Sequence, residues 1–289
     1  MLHDEGALRA EPRPGGAVAA SCEGVVKIYW SETGEVQALK GVDAAFEDGV
    51  VTALVGPSGS GKSSLLRILA CVDPPTAGQV MIGGEDVSSL GRSKRRRVRR
   101  DRIGYVFQRP SDNLVPYLTV EQHMALSARL RGREDRNEIF DLLRVLGLDE
   151  RTDHRPGQMS GGEQQRLAFA AAVVGRPPLV LADEPTAELD GVNGRALMER
   201  VKVLAGQGSA FVIATHDQVV MDLADRILHL RHGHLEAETA FEEEGVGRRA
   251  LAVIDASGRM QLPPEALRLF PGRRAVITVE DGEVRVTPP

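Results

Sequence analysis

Residues Gly56–Ser63 read GPSGSGKS, and this octapeptide constrains the chain more than any other segment. It follows the apolar run VVTALV (50–55) and precedes the helix-like SLLRILA (64–70). A glycine-rich turn between a buried strand and a helix demands a layered α/β arrangement, because both flanking elements must bury their apolar faces. Glycines at 56, 59 and 61 let the backbone curl so that successive N–H groups point toward phosphate oxygens, and the following helix start adds partial positive charge. Pro57, Ser58, Ser60 and Ser64 complete the segment. In this pattern Lys62 pairs with the β- and γ-phosphates and the Ser63 hydroxyl ligates Mg²⁺.

The rest of the chain supplies matching layers. Short apolar runs RIGYVF (102–107), LVLAD (179–183) and AFVIATH (210–216) alternate with helix-like stretches, which predicts a parallel sheet with covering helices. Residues 118–148 read as largely helical by spacing. LVLADEP (179–185) ends a buried strand in two carboxylates, Asp183 and Glu184. Where the chain turns, adjacent side chains can take different tasks, Asp183 facing a metal and Glu184 an attacking water. MSGGEQQRLAFAAAVV (159–174) places Ser160, Gly161, Gly162 and Glu163 at the start of a small-residue helix. Such a start binds anions well and is equally an ordinary helix cap.

Composition removes several classes. Aromatic residues are 4% of the chain and the net charge is −5, so neither a stacking platform for single strands nor a broad basic surface is expected. Cys22 and Cys71 form neither a disulfide framework nor a metal-ligand set. No apolar run is long enough to span a membrane and the N-terminal residues lack a signal-peptide pattern, which predicts a cytoplasmic chain. One local exception to the acidic balance is RSKRRRVRRDR (92–102), with eight Lys or Arg in eleven residues. A solvated helix face is the favoured reading, and proximity to an anionic membrane surface is compatible with it.

The phosphate loop, Gln108, SGGEQQR, LADEP and His216 occur in the order and approximate spacing of ATP-binding cassette (ABC) ATPases, which the chain resembles over roughly residues 22–236. Glu163 followed by QQR, LADEPT and NLVPYLTVEQ (113–122) resemble the lipoprotein-release and macrolide-export group. The resemblance implies an α/β P-loop NTPase fold of the ABC type with a helical subdomain at about 109–160, and ATP with Mg²⁺ as cofactors. It implies that Tyr29 stacks on adenine and that Gln108 reaches the metal and senses the γ-phosphate. It implies too that Asp183 and Ser63 hold the metal, that Glu184 polarises water and that His216 contacts the γ-phosphate and Glu184. Read from the residues alone, Tyr29 is equally a half-buried strand aromatic. Glu188, Leu189 and Asp190 occupy the loop that family members use to communicate across a dimer.

The same resemblance implies a head-to-tail homodimer, because Ser160 and Gly162 of one copy complete the ATP site of the other. A separate transmembrane permease is the implied partner. It brings the chain to the inner face of the membrane indirectly, and the expected direction is export or extrusion. The expected domains are a flexible tail at 1–21, the cassette at 22–236, a linker at 237–247 and a small mainly-β unit at 248–289. The last has short strands, a brief helix after Pro263 and Pro264 and an Asp281-Gly282 hairpin signal. VIDASGRMQLPPEAL (253–267) resembles the AbrB-like swapped-hairpin fold through Gly258, Arg259, Leu262, Pro263 and Glu265. Positions basic in DNA-binding members of that family are Ala252 and Leu267 here, with Arg259 and Arg268 left, so dimerisation rather than nucleic-acid binding is expected. A soluble ABC ATPase acting on DNA through this unit is the alternative. A non-hydrolysing regulatory cassette is a third reading, opposed by intact Lys62, Asp183, Glu184 and His216.

Overall fold

In the computed structural model the described residues are 17–31, 34–241, 248–252, 268–270, 275–280 and 283–287. The chain opens on two long antiparallel strands, β1 (Val18–Ser31) and β2 (Gly34–Glu47), paired from Ser31↔Gly34 to Val18↔Glu47. Then come β3 (Val51–Val55), α1 (Lys62–Leu69), β4 (Ala77–Ile82), β5 (Glu85–Asp86), α2 (Arg92–Arg102) and β6 (Ile103–Val106). The helical insert holds α3 (Val120–Leu130) and α4 (Arg136–Val145), and α5 (Gly161–Val173) leads out of it. The cassette-like part closes with β7 (Leu179–Asp183), α6 (Gly191–Ala205), β8 (Ala210–Ala214), α7 (Gln218–Leu223), β9 (Arg226–Arg231) and β10 (His234–Phe241). β11 (Arg248–Ala252), β12 (Val276–Glu280) and β13 (Glu283–Thr287) follow.

The larger sheet runs β11-β10-β9-β3-β8-β7-β6, with β9, β3, β8, β7 and β6 mutually parallel. A second sheet, β2-β1-β4-β5, is antiparallel. β3 and β8 are buried at every position, as strands covered on both faces must be. Their alternation shows in what each face packs against. Val51, Ala53, Phe211, Ile213, Val180 and Ala182 point to a core shared with α5, α6 and the helical insert. Leu54, Val212, Ala214, Leu179 and Leu181 point to a second core with α1 and the antiparallel sheet. Each fully buried Leu, Ile or Phe in these cores contributes about 1.5–3 kcal/mol relative to exposure.

Arg131, just past α3, locks the insert to this frame. Its guanidinium donates to the carbonyls of Ala171 (3.1 Å), Val174 (2.9 Å), Ala172 (2.9 Å) and Ile103 (3.2 Å). Burial pushes its pKa down to about 10. Gly104 lies under the same carbonyls, where a Cβ would strike the Ala172 oxygen, so β6 and α5 approach only because that position has no side chain.

The expected boundaries shift at both ends. Residues 18–21, placed in the flexible tail, belong to β1, with Ala19 and Ala20 buried. Residues 237–241, placed in the linker, form part of β10, where Glu238 accepts a 2.8 Å bond from Arg226. β11 pairs antiparallel with β10 and so extends the cassette sheet, instead of belonging to a separate unit. Glu280 pairs with Glu283, bracketing the Asp281-Gly282 pair singled out as a hairpin signal. The brief helix after Pro263 and Pro264, and the segment 253–267, lie outside the described residues. Cys22 and Cys71 are free and buried, and burial pushes their thiols up to about 12 and about 11.

Candidate active site

Four parallel strands deliver the candidate residues at their carboxyl ends, the position where open α/β sheets bind ligands. β3 leads into the phosphate loop, β7 ends at Asp183, β8 leads to Thr215 and His216, and β6 leads to Gln108. The loop is tightly specified. Gly56, Gly59 and Gly61 have φ of 156°, 75° and 109°. A Cβ at Gly56 would fall onto the Leu230 carbonyl, and one at Gly61 would sit 2.6 Å from the Ala38 oxygen. Lys62 Nζ donates back to the carbonyls of Gly56 (2.7 Å) and Pro57 (3.2 Å). Pro57, Ser58, Gly59 and Ser63 are exposed, while the Ser60 hydroxyl is buried with no partner among the described residues. Gly61 caps α1 with no side-chain acceptor, which leaves its first N–H groups open to an anion.

Asp183 and Glu184 occupy one corner. Burial raises the Asp183 carboxyl pKa, the Glu184 charge raises it further, and the Ser63 hydroxyl and Lys62 act in the opposite sense. A half-buried carboxylate hydrogen-bonded to a serine hydroxyl is a hard oxygen donor set suited to Mg²⁺, which takes one or two carboxylates and completes its shell with phosphate and water. Glu184 adopts φ 47°, a left-handed conformation costly for a residue with a side chain. Its amide donates to the Ala214 carbonyl at 2.8 Å. Its carboxylate meets His216 Nδ1 at 2.8 Å and accepts weaker bonds from the Thr215 hydroxyl (3.3 Å) and the His216 amide (3.4 Å). The Glu184 hydrogen bond raises the His216 pKa. A carboxylate so oriented, with an exposed imidazole beside it, can take a proton from water near the phosphate loop.

Gln108 is exposed two residues beyond β6. Asn113 shapes its loop by accepting from the Phe107 amide and donating to the Tyr105 carbonyl, both at 2.8 Å. Tyr29 lies on β1 beside the far half of α1. Its hydroxyl donates to Asp73 at 3.2 Å, Asp73 pairs with Arg67 of α1, and Lys27 Nζ sits 5.0 Å from the ring centroid.

The signature residues form a hydrogen-bonded cluster of their own. Ser160 caps α5: its hydroxyl accepts from the Glu163 amide at 3.3 Å, and the Ser160 amide and hydroxyl donate to the Glu163 carboxylate at 2.8 and 3.0 Å. Arg151 pairs with the same carboxylate at 3.0 Å. These bonds, with the Ser160 amide foremost, hold the Glu163 pKa down at about 2. Gly162 faces Leu189 and Arg166, and Gly161 has open space around it. Among the described residues no hydrogen bond links Ser160, Gly161, Gly162 or Glu163 to the phosphate loop of the same chain.

The ABC transporter family profile matches residues 39–187, which include the phosphate loop, Gln108, the signature and Asp183–Glu184. The chain belongs to the ABC transporter ATP-binding family. It is 41% identical over 219 residues to the lipoprotein-releasing system ATP-binding protein LolD 2 of Caulobacter vibrioides, covering 74% of this chain and 95% of that one. It is 37% identical over 227 residues to the macrolide export ATP-binding/permease protein MacB of Brucella abortus, covering 78% of this chain and 35% of that one. The dimeric post-hydrolysis structure of the cassette MJ0796 bound to ADP and Pi aligns with a TM-score of 0.70 at 35% identity, over 77% of this chain and 99% of that chain. This ABC cassette is accordingly an ATP-binding ATPase.

Three contributors to the cassette's site had no role assigned from the sequence. Thr215, fully buried, donates to Glu184 and accepts from the Asp217 amide at 3.0 Å. Thr186 donates to Asp217 at 2.6 Å, tying the loop after β7 to the loop after β8. Arg151 aligns Glu163 from twelve residues away. Thr215 was signalled by its place in ATHD; Arg151 had no local signal, because only the folded insert brings it to α5.

Proposed function

We propose that this cassette is the nucleotide-binding subunit of an exporter, closing head-to-tail with a second copy around ATP and driving a separate transmembrane permease. The observation that carries this reading is the likeness to the dimeric ADP- and Pi-bound cassette, at 35% identity over 77% of this chain, together with the absence among the described residues of any hydrogen bond joining the signature to the phosphate loop of the same chain. In that dimer Gly56–Ser64 wrap the phosphates, Lys62 neutralises them and Tyr29 stacks on the adenine. Ser160, Gly161, Gly162 and Glu163 of the second copy supply the opposing donors. Ser63, Gln108 and Asp183 would hold Mg²⁺, which supplies charge neutralisation to the phosphate oxygens. Glu184 takes the proton of the attacking water, and His216, bonded to Glu184, orients it and contacts the γ-phosphate. Once the γ-phosphate leaves, the charge shared across the interface is lost and the halves part.

Export is supported by the names of the relatives, a lipoprotein-releasing and a macrolide-export protein. The match covers 35% of the macrolide export ATP-binding/permease protein and 95% of the lipoprotein-releasing ATP-binding protein. Among the described residues no helix is long and apolar enough to cross a membrane; attachment to the inner membrane face through that permease is part of the proposal. A role for 253–289 in holding two copies together, through an AbrB-like swapped hairpin, is part of the proposal; it rests on the sequence resemblance and the β12–β13 hairpin. The test is purification of the tagged chain from detergent-solubilised membranes. Recovery of a multi-span protein in stoichiometric amount is expected, and recovery of DNA with no membrane protein would overturn the reading.

A further inference from the structure

The basic helix α2 makes no contribution to the nucleotide site, yet it is not a uniform solvated face. Arg92, Arg95, Arg96 and Arg99, at spacings of three and four, line one side of a surface cavity of about 310 Å³ whose other wall is Cys71 and Val72. Of the remaining cations, Arg97 and Arg100 pair with Asp101, Arg102 pairs with Glu85 and donates to the carbonyls of Ile82 and Gly83, and Lys94 lies outside the cavity lining. Among the described residues no carboxylate forms an ion pair with any of the four cavity arginines. Four like charges at i, i+3, i+4 and i+7 repel, and α2 has no acidic residue in its first turn to offset its cations there. A helix built against its own electrostatics, with its unpaired guanidiniums gathered round a concavity, is explained by an anionic ligand.

We propose that this cavity is a binding site for a phosphate-bearing anion of two or more negative charges, either a free phosphate compound or the phosphomonoester headgroup of a membrane lipid. Guanidinium groups bind phosphate oxygens in pairs, and four of them match a diphosphate or a phosphomonoester with neighbouring oxygens. A volume near 310 Å³ falls in the small-ligand class and is too confined for a nucleic-acid duplex. Cys71 lies two residues past the end of α1, whose opposite end is the phosphate loop. An eight-residue helix, about 12 Å long, therefore separates the two anion sites. The thiol at the cavity wall is neutral, since burial raises its pKa to about 11, and it offers no competing negative charge.

The experiment uses the full chain carrying Lys62→Ala, so that the phosphate loop contributes little. Inorganic pyrophosphate is titrated by calorimetry, and sedimentation is measured with phosphatidylcholine vesicles with or without phosphatidic acid. Two charge-matched double variants are compared: Arg95→Gln with Arg99→Gln inside the cavity, and Lys94→Gln with Arg97→Gln outside it. The cavity variant is expected to weaken binding at least about tenfold and the outside variant less than about twofold. Dependence on the cavity with pyrophosphate alone identifies a soluble phosphate; the same dependence with phosphatidic acid vesicles identifies a lipid headgroup. An equal fall in both variants, no fall in either, or no binding of either probe overturns the site. Both doubles, made in the chain with Lys62 intact, should hydrolyse ATP at the parent rate, which reports correct folding.

Discussion

Glu184 Oε1 lies 2.8 Å from His216 Nδ1, the two residues following the adjacent parallel strands β7 and β8. The contact follows from strand register, because Asp183↔Ala214 pairing fixes where each following residue emerges. His216→Ala removes the group that orients the carboxylate while leaving the phosphate loop intact. ATP affinity should stay within about threefold, and turnover in a steady-state phosphate-release assay should fall roughly a hundredfold.

The phosphate loop tolerates no side chain at Gly56, where a Cβ meets the Leu230 carbonyl of β9. Gly56→Ala should therefore lower both nucleotide binding and stability, by about 1–3 kcal/mol in denaturant unfolding. Gly59→Ala meets nothing within 4 Å and strains only its φ of 75°, so its stability cost should be the smaller of the two.

Arg131 holds the insert to β6 and α5 through four carbonyls. Arg131→Ala leaves those acceptors without their donor and should cost about 3 kcal/mol. Arg133→Ala removes a single bond, to the Gly175 carbonyl, and should cost about 1 kcal/mol. Thermal unfolding of the two variants side by side separates these expectations.

The Glu163 carboxyl, depressed to about 2, is held by the Ser160 amide and by Arg151. A depressed folded value means that its contribution is present above the ordinary glutamate range, about 4.5, and is lost as pH falls toward 2. Carboxyl ¹³C NMR titration should find the low midpoint in the parent chain and a midpoint moved upward in Arg151→Ala. An unmoved midpoint would assign the shift to the Ser160 amide and hydroxyl.

These sites differ in how far sequence could reach them. The position of the phosphate loop, Asp183–Glu184 and His216 at strand ends is legible in the sequence, because local pattern and chemistry coincide there within a few residues. The end of the cassette is not. AETAF (237–241) has the acidic, small-residue texture of a linker, yet Glu238 is neutralised by Arg226 across the β9–β10 ladder, a pairing visible only once the strands are side by side. Ala19 and Ala20 were missed for a related reason: alanines carry little strand signal, and their burial comes from β2 and β4 packed beside them. Tyr29 was placed on the expected early strand, while its tether to Asp73 had no counterpart in the local sequence.

The most direct test of the central claim is sedimentation velocity of Glu184→Gln with ATP and Mg²⁺, paired with a hydrolysis assay. Turnover should drop by about 10²–10⁴ while ATP binding persists, and the nucleotide should tighten the dimer, lowering the protein concentration at which it dissociates. Hydrolysis at the parent rate, or ATP binding with no gain in dimer stability, would contradict a site completed by two copies and worked by Glu184.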